Sequence, residues 1–355
     1  MHFMYCLAGF LLFPFISCQQ GSAFLQASLV ADKVQIQKRD NSGSSSIVFR
    51  SADNGQSWQD ISTGLPEGVQ PGIDEGKYEF FADDNGLWLN GGKEVYQSKP
   101  FSIAPYWTKA FLPIESGSIA GVKARLFAYK YWGVALKQAD GTTVWSPVFH
   151  HFSEPRVRSI FETAGGIIFL GTDKGLFKTT NKGKAWKQVY AGELVGNLAE
   201  SNGVLVATSK GKIIRSTDNG ETWGAINMEG GEAVDVKQIN DGFAAITRGA
   251  AADARRVKLS YDGGISWQPI KGGPNDRAVI DSIWLPAQND LRMQASITSI
   301  VKVGAHFFCT HPDGIFKSAD EGVTWQLILP TVEGRVFHIA VSGNVIYAIP
   351  RNAGC

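Results

Sequence analysis

Three of a recurrent series of acids in this chain have an arginine beside them: Glu154-Pro155-Arg156, Asp276-Arg277 and Glu333-Gly334-Arg335. Guanidiniums converging on one point bind a carboxylate or another anion through paired N–H donors. The acids offer a different chemistry. Glycoside hydrolysis needs two carboxyls on opposite sides of the scissile bond, about 5 to 9.5 Å apart. Glu154, Glu333 and Asp276 are the candidates for it. The plainer reading is that each acid marks the start of a strand and each Arg pairs with a neighbouring acid. The choice turns on whether the fold gathers these positions, so the elements that carry them come next.

The acids belong to a longer series: Glu75, Glu115, Glu154, Glu193, Glu232, Asp276 and Glu333, with steps of 40, 39, 39, 39, 44 and 57 residues. A second repeat runs in parallel. Ser51–Trp58 (SADNGQSW), Ser216–Trp223 (STDNGETW), Ser260–Trp267 (SYDGGISW) and Ser318–Trp325 (SADEGVTW) share the pattern S-x-D-x-G-x-x-W. Thr179–Trp186 (TTNKGKAW) is a variant with Asn181 for Asp, and Ser98–Trp107 and Gln138–Trp145 are degenerate copies. A period of this length means one supersecondary unit copied around a ring or along an array. Each phrase follows an apolar strand and reads as a hairpin turn. The side chains of Asp53, Asn181, Asp218, Asp262 and Asp320 accept backbone N–H groups, the Gly suits φ > 0, and the Trp packs on a neighbouring unit.

Within Glu154–Trp186 the runs predict strands near Val157–Glu162, Ile167–Gly171 and Gly175–Thr179, with a fourth from about Trp186. Four-stranded units repeated in a ring describe an all-β propeller. Seven units are expected, with eight as the alternative. The tail predicts strands at Val336–Val341 and Val345–Ile349, which would complete the N-terminal unit and close the ring, removing its exposed edge. Phe24–Leu29 and Val34–Gln37 also read as strands, more than the first unit needs.

The repeated phrase resembles the Asp-box of the bacterial neuraminidase repeat, and the chain from about residue 45 to 350 resembles the sialidase-like propeller superfamily. In size and repeat style it is similar to photosystem II assembly-factor-like repeat proteins. That resemblance implies binding and assembly rather than catalysis, with the Asp-boxes as scaffold. Sialidases hold the substrate carboxylate with an Arg triad, but the Arg-Ile-Pro motif of their first blade is missing here and no Tyr–Glu nucleophile pair can be identified by spacing. Propeller topology puts the Asp-box turns and the strand one-to-two loops on one face. The strand two-to-three loops and the links between units, with the recurrent acids, lie on the other, near the channel. The insertion Pro269–Gln294, with Trp284, Asp290 and Arg292, and the insertion Thr247–Arg256 would raise a rim there, as long loops on rigid scaffolds often do.

The start of the chain differs from the rest. Phe3–Ile16 is apolar and runs into Ser17-Cys18-Gln19-Gln20. This looks like a signal peptide, and Phe15-Ile16-Ser17-Cys18 resembles a bacterial lipobox that would lipidate Cys18. The expected organisation is a leader at 1–18, an N-terminal segment at 19–45 and the propeller at 46–355. A net charge of +1 gives no reason to expect nucleic acid. Four cysteines, two of them in or beside the leader, make no disulfide framework, and Cys309 reads as a small core residue. No Cys/His spacing fits zinc, and His150-His151 reads as a solvated loop.

The expectation is therefore an exported, cofactor-free, metal-free and monomeric propeller at the periplasmic or cell surface, lipid-anchored through Cys18. It would recognise a protein or glycan partner through Arg156, Arg277, Arg335, Trp284 and Arg292 on the channel face. The alternatives are an exo-acting, sialidase-like glycoside hydrolase using the inner carboxylates and the Arg cluster, and an inert module of a surface complex.

Overall fold

Short apolar runs split by Gly, Asn and Asp turns become strands throughout. The computed structural model describes residues 36–37, 47–66, 80–83, 86–90, 94–104, 106–111, 118–122, 125–130, 133–137, 145–149, 156–229, 231–249, 255–270, 297–332 and 335–351. They open with β1 (Ile36–Gln37), β2 (Phe49–Ser51) and β3 (Trp58–Asp60). Next come β4 (Phe80–Asp83), β5 (Gly86–Asn90), β6 (Glu94–Ser98), β7 (Thr108–Phe111), β8 (Ser118–Val122), β9 (Arg125–Lys130), β10 (Gly133–Lys137) and β11 (Trp145–Phe149). Then follow β12 (Val157–Glu162), β13 (Ile168–Thr172), β14 (Gly175–Thr179), β15 (Lys187–Ala191), β16 (Val195–Ser201), β17 (Val204–Ser209), β18 (Lys212–Ser216) and β19 (Gly224–Ile226). The remainder are β20 (Glu232–Ile239), β21 (Gly242–Arg248), β22 (Arg255–Ser260), β23 (Gln268–Pro269), β24 (Ser299–Val303), β25 (His306–His311), β26 (Gly314–Ser318), β27 (Gln326–Pro330), β28 (Val336–Ser342) and β29 (Val345–Arg351).

Six sheets are four-stranded antiparallel meanders: II (β4–β7), III (β8–β11), IV (β12–β15), V (β16–β19), VI (β20–β23) and VII (β24–β27). The remaining sheet, I, has five strands in the order β1-β3-β2-β29-β28. The first strands touch in sequence, β28 to β4, β4 to β8 and onward to β24 and back to β28, so the sheets follow one another in a closed circuit. This is an all-β propeller.

The expectation of seven like units is corrected to six regular four-stranded blades. Sheet I differs because both chain ends build it. β2 pairs antiparallel with β29, Phe49 opposite Ala348, as ring closure requires. β1 adds in parallel to β3, Ile36 opposite Trp58, so Ile36–Gln37 of the surplus run becomes a fifth, outermost strand. It joins sheet I although it lies in the segment read as 19–45. No eighth sheet exists among the described residues, and Phe24–Leu29 lies outside them.

Burial is greatest in the middle strands of sheets IV to VII. Every residue of β13 is buried, whereas β15, β19 and β23 are mostly exposed. Strands buried on both faces read as unbroken apolar runs, which explains why strands two and three are the easiest to find in the sequence. The cores lie between sheets. Phe49, Trp58 and Phe337 of sheet I pack with Val303, Phe308, Ile328 and Leu329 of sheet VII. Cys309 sits wholly buried between sheets VI and VII, where desolvation pushes its thiol well up.

Candidate functional site

The channel end is where the topology would put a site. Arg156 stands exposed immediately before β12. Its N–H donates to Asp173 Oδ1 at 2.9 Å, and its carbonyl accepts from the Asp173 N–H at 3.1 Å. Asp173 lies in the β13–β14 turn, so that turn fixes the link leading into sheet IV. Arg335 precedes β28. Its N–H donates to the Val332 carbonyl at 3.0 Å, and its own carbonyl accepts from the Thr331 hydroxyl at 2.5 Å. The Thr331 N–H in turn donates to the carbonyl of Asp313, in the β25–β26 turn. Both arginines therefore stand where inner strands begin, beside strand two-to-three turns, as the topology required. They are not on adjacent sheets: II and III separate them on one side, V to VII on the other. Arg277, Trp284 and Arg292 lie outside the described residues, as do Glu154, Asp276, Glu333, Cys18 and His150-His151.

Two acids of the recurrent series are described. Glu193, just before β16, has its carboxylate 3.9 Å from Lys210 Nζ of the β17–β18 turn. Glu232 opens β20 and is exposed. At these two positions the plain reading, an acid marking the start of a strand, fits.

Sequence reasoning missed a polar belt along the inner strands. Ser159 donates to the Gly196 carbonyl at 2.5 Å, and Asn197 Nδ2 donates to Asp235 Oδ1 at 2.6 Å. Lys237 Nζ donates to Ser299 Oγ at 3.0 Å, and Thr298 to the Phe337 carbonyl at 3.2 Å. These bonds join sheets IV to V, V to VI, VI to VII and VII to I. Asp235 is buried and pinned, which makes it a structural acid. The only signal in the sequence was a polar residue where strand one was otherwise apolar.

The octapeptide turns form as expected. In the last, Ser318 Oγ donates to Asp320 Oδ1 at 2.8 Å and accepts the Gly322 N–H at 2.8 Å. The Thr324 N–H and hydroxyl donate to the two Asp320 oxygens at 2.8 and 2.6 Å. The seventh position is thus a working part of the turn, taken by Ser57, Thr222, Ser266 and Thr324. Ala185 in the variant copy hid it from the pattern, and there Asn181 keeps only the Thr179 hydroxyl and Ala185 N–H bonds. The fourth residue is left-handed as well as the fifth: Asn54, Lys182, Asn219 and Glu321 have φ of 57°, 59°, 58° and 57°.

The turns of sheets I, II, V, VI and VII lean on the preceding sheet. Trp325 packs with Ile246, Val257 and Leu259 of sheet VI, and its indole N–H donates to the Gly322 carbonyl at 3.0 Å. Trp223 meets Phe169 of sheet IV edge-on at 6.0 Å. Trp107, in the degenerate copy of sheet II, donates to the Ile61 carbonyl of sheet I at 2.7 Å.

The residue just before the turn reaches the other way, to the next sheet's turn. Arg50 donates to the Pro100 and Ser102 carbonyls at 2.9 and 3.2 Å. Arg215 Nε donates to the Gly263 carbonyl at 2.6 Å, and Lys317 Nζ to the Asn54 carbonyl at 3.0 Å. Lys178 uses the Glu221 carboxylate instead, at 2.5 Å. These cations clasp four of the joints between sheets.

Hydrogen bonds hold the turn carboxylates in their ionised form. The Thr324 hydroxyl, its N–H and the Ser318 hydroxyl bring Asp320 down to about 2 from 3.8. At Asp262, burial pushes upward but the Ser266 and Ser260 hydroxyls with the Ser266 and Ile265 N–H groups outweigh it, again to about 2 from 3.8. A depressed folded-state pKa stabilises the fold above the unfolded value, and that contribution is lost as pH falls through the folded value. The turns should therefore hold at full strength above about pH 3.8 and weaken between there and about pH 2. Asp320→Asn, which copies the chemistry of Asn181, should melt below the parent at pH 6, and the gap should close over that window in a pH series of thermal melts. A gap that stays constant with pH would show that the charge is irrelevant.

No protein-family model and no curated protein matches the sequence. Solved structures do resemble the fold. YCF48 bound to D1 peptide is 14% identical, with a TM-score of 0.52 over 79% of this chain and 99% of that one. A catalytically inactive virginiamycin B lyase from Staphylococcus aureus with quinupristin is 12% identical, with a TM-score of 0.56 over 81% and 97% of the two chains. The Pan2 WD40 domain from Neurospora crassa is 15% identical, with a TM-score of 0.56 over 80% and 91%. At these identities the likeness is one of β-propeller fold.

Proposed function

We propose that this chain is an exported β-propeller that binds a protein or glycan partner at its channel end and performs no chemistry. The observation that carries this reading is the placement of Arg156 and Arg335 where inner strands begin, each held through its main chain by a neighbouring turn. A rigid ring end bearing guanidiniums suits recognition of a carboxylate or another planar anion. Arg277, Arg292 and Trp284 would join them from the long insertion. YCF48, a propeller of similar extent, has been solved with a peptide bound, which supports a peptide as the partner class. Export through the 1–18 leader, lipidation at Cys18, a periplasmic or cell-surface location and a monomeric state complete the reading. At the channel end the repeated turns act as scaffold, in keeping with a sialidase-like repeat.

The test pairs activity with capture. The chain is incubated with a panel of aryl-glycosides that includes a sialoside, beside Glu154→Ala and Glu333→Ala. Partner capture is compared for the parent and for Arg156→Glu with Arg335→Glu. No turnover, with capture lost in a charge-reversed chain that still melts normally, is the expected result. Turnover abolished by either Glu variant would replace binding with glycoside hydrolysis.

A further inference from the structure

The joint between sheets VI and VII lacks the clasp seen at four of the others. In sheet VI the residue before the turn is Leu259, at the register position that Arg215 holds in sheet V and Lys317 in sheet VII. The nearest cation in the strand, Lys258, points its ammonium at the Glu229 carbonyl instead. Among the described residues, no basic side chain of sheet VI hydrogen-bonds the carbonyl of Glu321, which matches the clasped carbonyls of Gly263 and Asn54.

The surface is shaped differently at this joint. A cleft of about 600 Å³ runs between the two sheets, its apolar wall formed by Leu259, Tyr261, Pro269, Ile270 and Val323. Tyr261 is 52% exposed, Val323 46% and the adjacent Ile265 60%, although the matching turn positions elsewhere are polar or small. The rim is acidic. Asp262 and Glu321 line the cleft and Asp320 adjoins it; among the described residues Lys302 is the cation beside them, reaching the Glu321 oxygens at 3.0 and 3.2 Å and lying 5.8 Å from the Tyr261 ring centroid. The Glu321 side chain is nevertheless 60% exposed, and it accepts from the Tyr261 hydroxyl at 3.2 Å. An apolar floor under an acidic rim fits a side chain with an aliphatic stem and a cationic head.

We propose that this cleft receives an arginine side chain presented by a partner protein. Its stem would lie on Leu259, Ile270 and Val323. Its guanidinium would reach the Glu321 carbonyl and share the Glu321 carboxylate and the Tyr261 ring with Lys302, whose ammonium already lies 5.8 Å from that ring's centroid. The partner would thus supply from outside the kind of clasp that the chain supplies to four of its joints. The two nearest precedents within the molecule are Arg215 on Gly263 and Arg50, whose guanidinium lies 5.7 Å from the Tyr106 ring centroid. The site lies on the turn face and is independent of the channel-end reading.

The test uses the full chain and a fluorescein-labelled peptide, Gly-Leu-Arg-Leu-Gly, with a second peptide carrying citrulline in place of arginine. Citrulline keeps the shape and removes the charge. Fluorescence anisotropy should show the arginine peptide binding about tenfold more tightly, the difference of one charge-assisted contact. Leu259→Arg should restore the internal clasp, raise the melting temperature and abolish binding of the arginine peptide. Should that variant fail to fold, Val323→Lys puts an ammonium over the same cleft from an exposed position and should have the same effect on binding. Equal affinity for the two peptides, saturable binding of neither, or binding undiminished by these substitutions would each overturn the proposal. Arg156→Glu and Arg335→Glu should leave it intact.

Discussion

Gly220→Ala is expected to destabilise the fold by about 2–5 kcal/mol, the sum of over-packing and a left-handed backbone. A Cβ at this position would stand 2.3 Å from Phe169 Cζ and 2.6 Å from Cε1. Phe169 is wholly buried and meets Trp223 edge-on, so its ring cannot retreat without disturbing the joint between sheets IV and V. The backbone contribution can be measured separately. Gly203 has the same φ of 76° and nothing within 4 Å of its would-be Cβ. Gly203→Ala should therefore cost only the conformational part, about 1 kcal/mol. Urea unfolding of the two variants beside the parent gives the difference. Equal losses would mean that the turn glycine is required for its dihedral alone and that the close approach of the sheets is incidental.

The second large effect is expected where the ring closes. Phe337, in β28, is 1% exposed and lies between Phe49 of the N-terminal strand and the sheet VII core, its ring 6.0 Å from that of Phe49 at 84°. Phe337→Ala leaves a cavity bordered by three separate parts of the chain and should cost about 3–5 kcal/mol. Its consequence should exceed that of an equivalent core deletion elsewhere, because this sheet alone is held together by the two ends of the chain. Native-state hydrogen exchange should show β2, β28 and β29 losing protection together and ahead of β16 to β22. Protection lost evenly over all sheets would show that the seam is no weaker than the rest.

Much of this was legible because the requirements are local. A turn with two left-handed residues in succession, a buried hydroxyl and an acceptor for consecutive N–H groups admits few residue types, so Ser51, Asp53, Gly55 and Trp58 recur as a phrase. Strand positions in sheet IV and the tail could be read to within a residue or so, since β13, β14, β28 and β29 are buried on both faces. The count of like blades was harder. Sheet I borrows from both ends and gains a parallel fifth strand, and a two-residue strand such as Ile36–Gln37 has no periodicity to detect. The clasps were invisible for another reason. Arg50, Arg215 and Lys317 look like ordinary outward residues of a third strand, and their acceptors are main-chain carbonyls in the next unit, which have no sequence identity. Leu259 became informative only once those three had shown what belongs at its position. Arg156 and Arg335 stand just before first strands, as their place after the recurrent acids suggested, while Arg277 and Arg292 lie outside the described residues.

The joints between sheets also bear on how such a chain could have arisen. Units such as V and VII carry a turn that fits the unit before and a basic residue that fits the unit after. A tandem duplicate of one of them would be born with both halves of its contacts already matched, to its parent on one side and to its parent's old neighbour on the other. Growth by copying then needs no new interface to be invented, only room in the ring. Sheet VI differs from these: with Leu259 in place of a cation, a duplicate of it would inherit a joint without that clasp. Lineages of this fold should therefore expand more readily through units such as V than through VI.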